Sequence, residues 1–274
     1  MTCHFFQKNF SGPSGGAFGK LVLLLFSLGI FLSVLHTLWA YDVWWHLKAG
    51  EVIWKEHFIP GTNLFSYTAP EHPWIDLSWG FQLFIYIAYK LFGASGIILF
   101  KAAVVTSIFL LLLKGFSRSV PLLVLLPVLA LILFTAHERL VERPEVVSYL
   151  FLVSFLLILE KDRKKPSKTL YALPLLQILW ANTHALFVLG LLVIASAWLG
   201  AVLSWLTAKK RLAPVSFPSR LTAVFVLSSL ATLVNPYGAK GALFPLTLLT
   251  RISGEFDVFT YGIGEFTRPF LTGG

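Results

Sequence analysis

An all-α, polytopic transmembrane helix bundle is the fold this sequence predicts, on three observations. Of 274 residues, 57% are hydrophobic and only 13% charged, with a mean hydropathy of +0.77, whereas soluble domains carry about a quarter charged residues. The apolar residues fall in runs of membrane-span length, roughly 17–25 residues. Lysines and arginines gather in short segments between those runs, the pattern of the positive-inside rule.

The first run covers 21–40. Lys8 and Lys20 precede it, yet it is longer than the roughly 7–15 apolar residues of a signal peptide and no small-x-small cleavage site follows. It reads as an uncleaved first helix. Runs at 97–113, 121–136, 145–159 and 185–206 follow, with shorter ones at 170–181 and 221–234, about seven spans in all. Segment 77–92 contains Ser78, Trp79, Gln82, Tyr86, Tyr89 and Lys90, polar for a lipid-facing helix, and reads as interfacial or half-penetrating. Segment 242–249, with Pro245 inside, reads as a half-helix. The outer loop 41–76 contains an amphipathic stretch at 43–56: Trp45, Ala49, Val52 and Ile53 share one face, and Lys48, Glu51 and Lys55 the other. Such a helix lies in the membrane interface. Residues 1–274 form a single membrane domain.

Charge orients the bundle. Lys8 and Lys20 put the N-terminus in the cytoplasm, and Lys161 to Lys168, Lys114 with Arg118, and Lys209-Lys210-Arg211 belong on the same side. These assignments agree only if an even number of spans separates Asp42 from Arg143, so 77–92 does not cross. The net charge of +9 is read through the same rule: no aromatic-basic module for nucleic acid accompanies it. The single cysteine, Cys3, excludes an intramolecular disulfide.

With that topology the polar groups collect outside. They are Asp42 and His46; Asp76; His137-Glu138-Arg139; Glu142-Arg143; Asn182-Thr183-His184; and Asn235-Pro236-Tyr237-Gly238, with Lys101 a turn into a helix entering from that side. An outward cavity lined by carboxylates, imidazoles and guanidinium groups is the expectation. Each group also has a plain structural reading. Asp42 suits a helix N-cap or a pair with His46 one turn on. Trp44 and Trp45 suit the aromatic belt. Arg139, Arg143 and Lys101 can snorkel, and Asn182 and His184 can bond between helices. Asn235 to Gly238 has turn composition. Several catalytic templates are missing: His137-Glu138 begins a zincin motif, but Val141 stands where the second histidine is needed, and no Gly-x-Ser-x-Gly elbow, P-loop, dinucleotide fingerprint or cysteine cluster occurs.

One resemblance connects these residues. Asp42, Trp44, Trp45, His46, Leu47 and Gly50, then Ile59-Pro60, Phe65-Ser66-Tyr67-Thr68 and Pro73-Trp74, resemble the first outer loop of bacterial membrane proteins related to the GT-C glycosyltransferases. Arg143-Pro144, Trp180-Ala181-Asn182-Thr183-His184 and Asn235-Pro236-Tyr237-Gly238 follow in the order seen in that group, so that the likeness spans roughly residues 20–250. The resemblance implies a GT-C-like glycosyltransferase of the bacterial inner membrane, using a polyprenyl-phosphate-sugar donor at the outer face. In it Asp42 is the matching first-loop acid, a base or a metal-binding acid. His46, Lys101, Arg139, Arg143, Asn182, His184, Asn235 and Tyr237 are its substrate-binding candidates. A divalent cofactor is unsupported, because Ala40 and Tyr41 stand where a paired acid is usual. The group usually continues beyond the position of Gly274. The alternatives are a non-catalytic transporter or lipid-handling subunit, or an inactive fragment of such a transferase. The chemistry suits the residue types independently: a carboxylate can deprotonate an acceptor hydroxyl, and guanidinium or ammonium groups can stabilise a departing phosphate.

Overall fold

The computed structural model describes residues 17–117, 119–208 and 216–254. Lys8, Arg118 and the 209–211 basic cluster, which carry part of the charge argument, lie outside the described residues. Among those described, the protein is all-helical: α1 (Ala17–Ser33), α2 (Val43–Glu56), α3 (Trp79–Phe92), α4 (Ala94–Phe116), α5 (Leu122–Ala136), α6 (Glu145–Lys164), α7 (Leu173–Ala181), α8 (Val188–Ala208), α9 (Ser219–Ala231) and α10 (Ala239–Gly254). Short 3-10 turns at His137–Arg139, Lys168–Ala172 and Ala185–Phe187 extend or connect them.

Three segments are long and apolar enough to cross a membrane: Ala94–Phe116, Leu122–Arg139 and Ala185–Thr207. The expectation of about seven spans is therefore met in part. Helix α1 has 17 residues, α9 13 and α7 9, while the 20 residues of α6 end in a charged turn, Glu160 to Lys164. Helix α3, with 14 residues, spans about 21 Å at 1.5 Å per residue, short of the ~30 Å hydrocarbon core.

The first apolar run does not stay helical to residue 40. Helix α1 ends at Ser33 and the chain continues irregularly to Ala40. The competing interaction comes from far along the chain. Glu142 accepts the backbone N–H groups of Trp39 and Ala40 through Oε2, at 3.2 and 3.5 Å, while its Oε1 takes a 2.6 Å bond from Lys101 Nζ. Both side chains of this ion pair are sealed, with exposures of 1% and 0%.

The amphipathic stretch forms helix α2, with Ala49 and Ile53 on its buried face as expected but Trp45 and Val52 only half-buried. Val43, His46, Ala49, Gly50 and Ile53 are buried on one face of α2, and Glu51 bridges Lys48 and Lys55 on the other. That apolar face packs lengthwise on α3. His46 meets Phe81 and Gln82, Gly50 lies against the Gln82 carbonyl, and Trp54 meets Tyr86 and Lys90. The paired numbers rise together, so α2 and α3 run parallel. At Gly93, whose φ of 62° suits a residue without Cβ, the chain reverses into α4, and Gly96 nestles against the Ala88 carbonyl.

Cross-helix pairs give the remaining directions. Lys101 faces His36 while Leu110 and Lys114 lie beside Leu23 and Ser27, so α1 and α4 are antiparallel. Leu157 covers Gly115 while Glu142 holds Lys101, so α4 and α6 are parallel. Ser148 bonds Trp180, and Asp162 bonds the Ser167 N–H, so α6 and α7 are antiparallel. Trp198 bonds Thr222 and Trp205 meets Phe217, which makes α8 and α9 antiparallel. Lys114, Lys161, Lys168 and Arg220 thus fall at one end of the bundle, and Asp42, Asp76, Arg143, Asn182 and Tyr237 at the other.

Two stability tests follow from this packing. A methyl at Gly50 runs into the Gln82 carbonyl, whereas nothing lies within 4 Å of one at Gly61. Gly50→Ala is expected to cost about 1–3 kcal/mol and to lower the thermal unfolding midpoint in detergent, with Gly61→Ala as the neutral control. Lys101→Met strands a buried carboxylate and is expected to cost about 3–5 kcal/mol. Lys101→Met/Glu142→Gln restores most of it, because the amide oxygen still accepts from Trp39.

Candidate functional site

Asp42 occupies the N-cap position of α2, but its side chain caps nothing. It turns to Arg143 instead, Oδ2 to Nη2 at 3.0 Å, and both side chains are part-exposed (45% and 27%). Asp42 and Arg143 share one end of the bundle because Glu142, next to Arg143, is bonded to Ala40, two residues before Asp42. Beside the pair opens a cleft of about 380 Å³, lined by Trp39, Ala40, Glu138, Arg139, Val141, Arg143 and Glu145. Arg139 is exposed at its rim. Lys101, the other predicted cation, faces away from solvent into Glu142 and His36. Among the described residues no group of three His, Cys, Asp or Glu side chains gathers closely enough to hold a metal ion.

His46 does not pair with Asp42. It is 5% exposed, its ring lies 3.7 Å from the Trp45 ring and edge-on to Phe81, and its Nδ1 meets Gln82 Nε2 at 3.3 Å. The same Gln82 amide donates to Asp76 Oδ2 at 2.7 Å, while Asp76 Oδ1 accepts the Ser78 N–H. Burial holds His46 well below its ordinary 6.5, at about 3, and the nearby His184 and Arg143 push the same way. Burial also raises the Asp76 carboxyl, against the bonds from Gln82 and Ser78. Glu142 moves down: burial would raise it, but the Lys101 ammonium prevails.

His184 is fixed from another side. Ser148 Oγ lies 2.9 Å from its Nδ1 and accepts the Trp180 indole N–H at 2.8 Å. Burial brings His184 down to about 4.

Asn182, Asn235 and Tyr237 hold the frame. Asn182 Oδ1 accepts from the Trp79 indole, its Nδ2 donates to the Ile178 and Val234 carbonyls, and its own carbonyl takes the Gly80 N–H. Asn235 closes its turn through Thr232, Tyr237 and Gly238. The Tyr237 hydroxyl accepts the Asp76 N–H and donates to Pro60, tying the outer loop to the far end of the chain. Sequence reasoning counted Asp76 and Glu142 among the outer polar groups but gave neither a role, and it left Gln82 and Ser148 out. Gln82 and Asp76 had a signal, as polar groups in and beside a short apolar segment; Ser148 had none.

Helices of spanning length, with ionisable and aromatic groups gathered at one end, define an all-helical membrane protein with a polar terminal cleft. Compared with known proteins, the chain matches no family model, no curated protein and no solved structure.

The buried imidazoles make stability depend on pH. The unfolded chain binds protons at both histidines from about pH 6.5 downward, whereas the folded protein does so only near 4 and 3. Their contribution is full above pH 6.5 and is lost as pH falls through that window, at up to about 1.4 kcal/mol per unit for each. Asp76, displaced upward, returns some of this at the acid end. Unfolding midpoints in detergent are expected to fall between pH 7 and 4.5, and the double variant His46→Gln/His184→Gln to flatten that fall.

Proposed function

We propose that the protein is a GT-C-like membrane glycosyltransferase that takes a sugar from a polyprenyl-phosphate donor at the outer face of the bacterial inner membrane. The observation that carries this reading is the part-exposed Asp42–Arg143 pair beside the cleft. It puts a carboxylate base next to guanidinium groups suited to a departing phosphate. Asp42 takes the proton of the acceptor hydroxyl as that oxygen bonds to the sugar's anomeric carbon. The bond from that carbon to the donor phosphate breaks, and its electron pair stays on the phosphate, where Arg143 and Arg139 offset the charge. Lys101 has no part in this, being held by Glu142. Asn182, Asn235 and Tyr237 serve by keeping the loops in place.

The membrane arrangement belongs to the same proposal. Asp42 and Arg143 touch, so an even number of crossings lies between them; α4 and α5 supply two, and the α2–α3 pair stays on one side. Helices α1, α4, α5, α6, α7, α8 and α9 then make seven crossings, with α6, α7 and α9 helped by their flanking turns. Lys20, Lys114, Lys161 and Lys168 mark the cytoplasmic side, together with the N-terminus.

A second reading, a lipid-handling or transport subunit that binds without turnover, is favoured by one observation: the Asp42 carboxylate is already engaged by Arg143. Transfer of radiolabelled sugar from a polyprenyl-phosphate donor by the purified, reconstituted protein separates the two. Asp42→Asn is expected to lower the rate about 10²- to 10⁴-fold with the fold intact. Undiminished transfer in Asp42→Asn overturns the base assignment, and donor binding by wild type with no transfer favours the second reading.

A further inference from the structure

Two histidines of the polar end each meet a hydrogen-bond donor through Nδ1. Gln82 carries two amide hydrogens; one goes to Asp76 Oδ2 and the other to His46 Nδ1. His46 Nδ1 must therefore accept, which leaves its proton on Nε2. On the other side, Ser148 Oγ accepts from the Trp180 indole, which leaves its own hydrogen available to His184 Nδ1, 2.9 Å away. His184 likewise keeps its proton on Nε2. Neither Nε2 finds a partner among the described residues, and neither is among the fully enclosed polar atoms left without one.

The two rings lie at the same end of the bundle, within electrostatic reach of one another. The Gly80 N–H is bonded to the Asn182 carbonyl, and the Thr183 methyl packs on Gly80. This brings the turn that carries His184 to the start of α3, one residue from Phe81, whose ring lies edge-on to His46. Val147, beside Ser148, packs against the cluster of Val43, Phe81, Ile85 and Ile97. Arg143 is reached through Asp42, one turn before His46 on α2. The proximity is also felt electrostatically, since His184 and Arg143 both depress the His46 titration.

We propose that His46 and His184 present two uncharged Nε2–H donors which, beside Arg143, form a binding subsite for phosphoryl oxygens. Neutral imidazoles suit this task. They donate without adding buried charge, so the subsite stays stable when empty, and a phosphate arriving there meets preset dipoles and one guanidinium. Asp76, Gln82, Ser148 and Trp180 are positioning residues that set the tautomers. The subsite deepens the transferase reading by naming what grips the donor phosphate, but it stands as a binding site without turnover.

The test is equilibrium binding of farnesyl phosphate to the full-length protein in detergent micelles, by calorimetric titration at pH 7.5. His46→Phe and His184→Phe are each expected to weaken binding by about 10- to 100-fold. Asp42→Asn is expected to bind within a few-fold of wild type while losing transfer, so that failure of the base assignment and failure of the subsite are read separately. Competition by millimolar inorganic phosphate supports the subsite with a free anion as its source. Histidine-dependent binding that inorganic phosphate leaves unaffected supports it with a lipid headgroup. The wild-type protein gives a check that no folding defect can spoil: nitrogen spectra of ¹⁵N-histidine-labelled protein are expected to show two imidazoles neutral with the proton on Nε2 down to pH 5.5. Unchanged affinity in both phenylalanine variants, or imidazoles found protonated or carrying the proton on Nδ1, overturns the inference.

Discussion

The Lys101–Glu142 pair sets the geometry on which the rest of the polar end depends. One glutamate touches three segments: Lys101 in α4, the chain leaving α1 at Trp39 and Ala40, and its own loop between α5 and α6. In a sealed apolar setting such a pair adds little net stability, because desolvation offsets most of the attraction. Its value is positional. Two residues beyond Ala40 stands Asp42, and one beyond Glu142 stands Arg143. Fixing the buried pair therefore fixes the register of the exposed one, and an ammonium that cannot reach solvent aligns two groups that can.

The opposite wall of the polar end is built from neutral groups. Asn182, Trp79 and Tyr237 bond backbone groups and one another, and Ser148 bonds Trp180 and His184. The Gln82 amide nitrogen serves Asp76 and His46, while its Oε1 stays without a partner among the described residues. Such bonding suits a region bordering lipid, where an unmatched polar group costs several kcal/mol and loops between helices have little water to satisfy them. Short helices such as α7 and α9 can end there because Asn182 closes both, donating to the carbonyls of Ile178 and Val234.

Much of the helical pattern was legible in the sequence, because it rests on local information. The amphipathic period of 43–56 marks α2, and the apolar runs mark α4, α5 and α8. The end of α1 was not legible, since the group that breaks it, Glu142, lies 103 residues from Trp39. Lys101 was read as a cation facing the cavity for the same reason: its partner is visible in the sequence, but only packing brings the two together. Asn182 stood out as a polar interruption, yet its partners at Trp79 and Val234 depend on tertiary contact. Ser148 was invisible. Serines in apolar helices commonly bond back to their own carbonyl one turn earlier, as Ser154 and Ser196 do here, and nothing local sets Ser148 apart from them.

The exposed pair carries a constraint of its own. A carboxylate held at 3.0 Å by a guanidinium has an oxygen already engaged and is less open to an acceptor hydroxyl. On the transferase reading Asp42 and a donor phosphate compete for the charge of the Arg143 guanidinium. An arriving donor would draw Arg143 toward its own charge and loosen its hold on Asp42, freeing the carboxylate for an acceptor hydroxyl only once the donor is bound. Neutral donors at His46 and His184 fit this exchange. They hold the phosphate without competing for Asp42, whereas imidazolium groups there would attract the carboxylate and keep it engaged. The desolvation that keeps both imidazoles uncharged thus leaves Asp42 and an incoming phosphate to compete for Arg143 without added cations nearby.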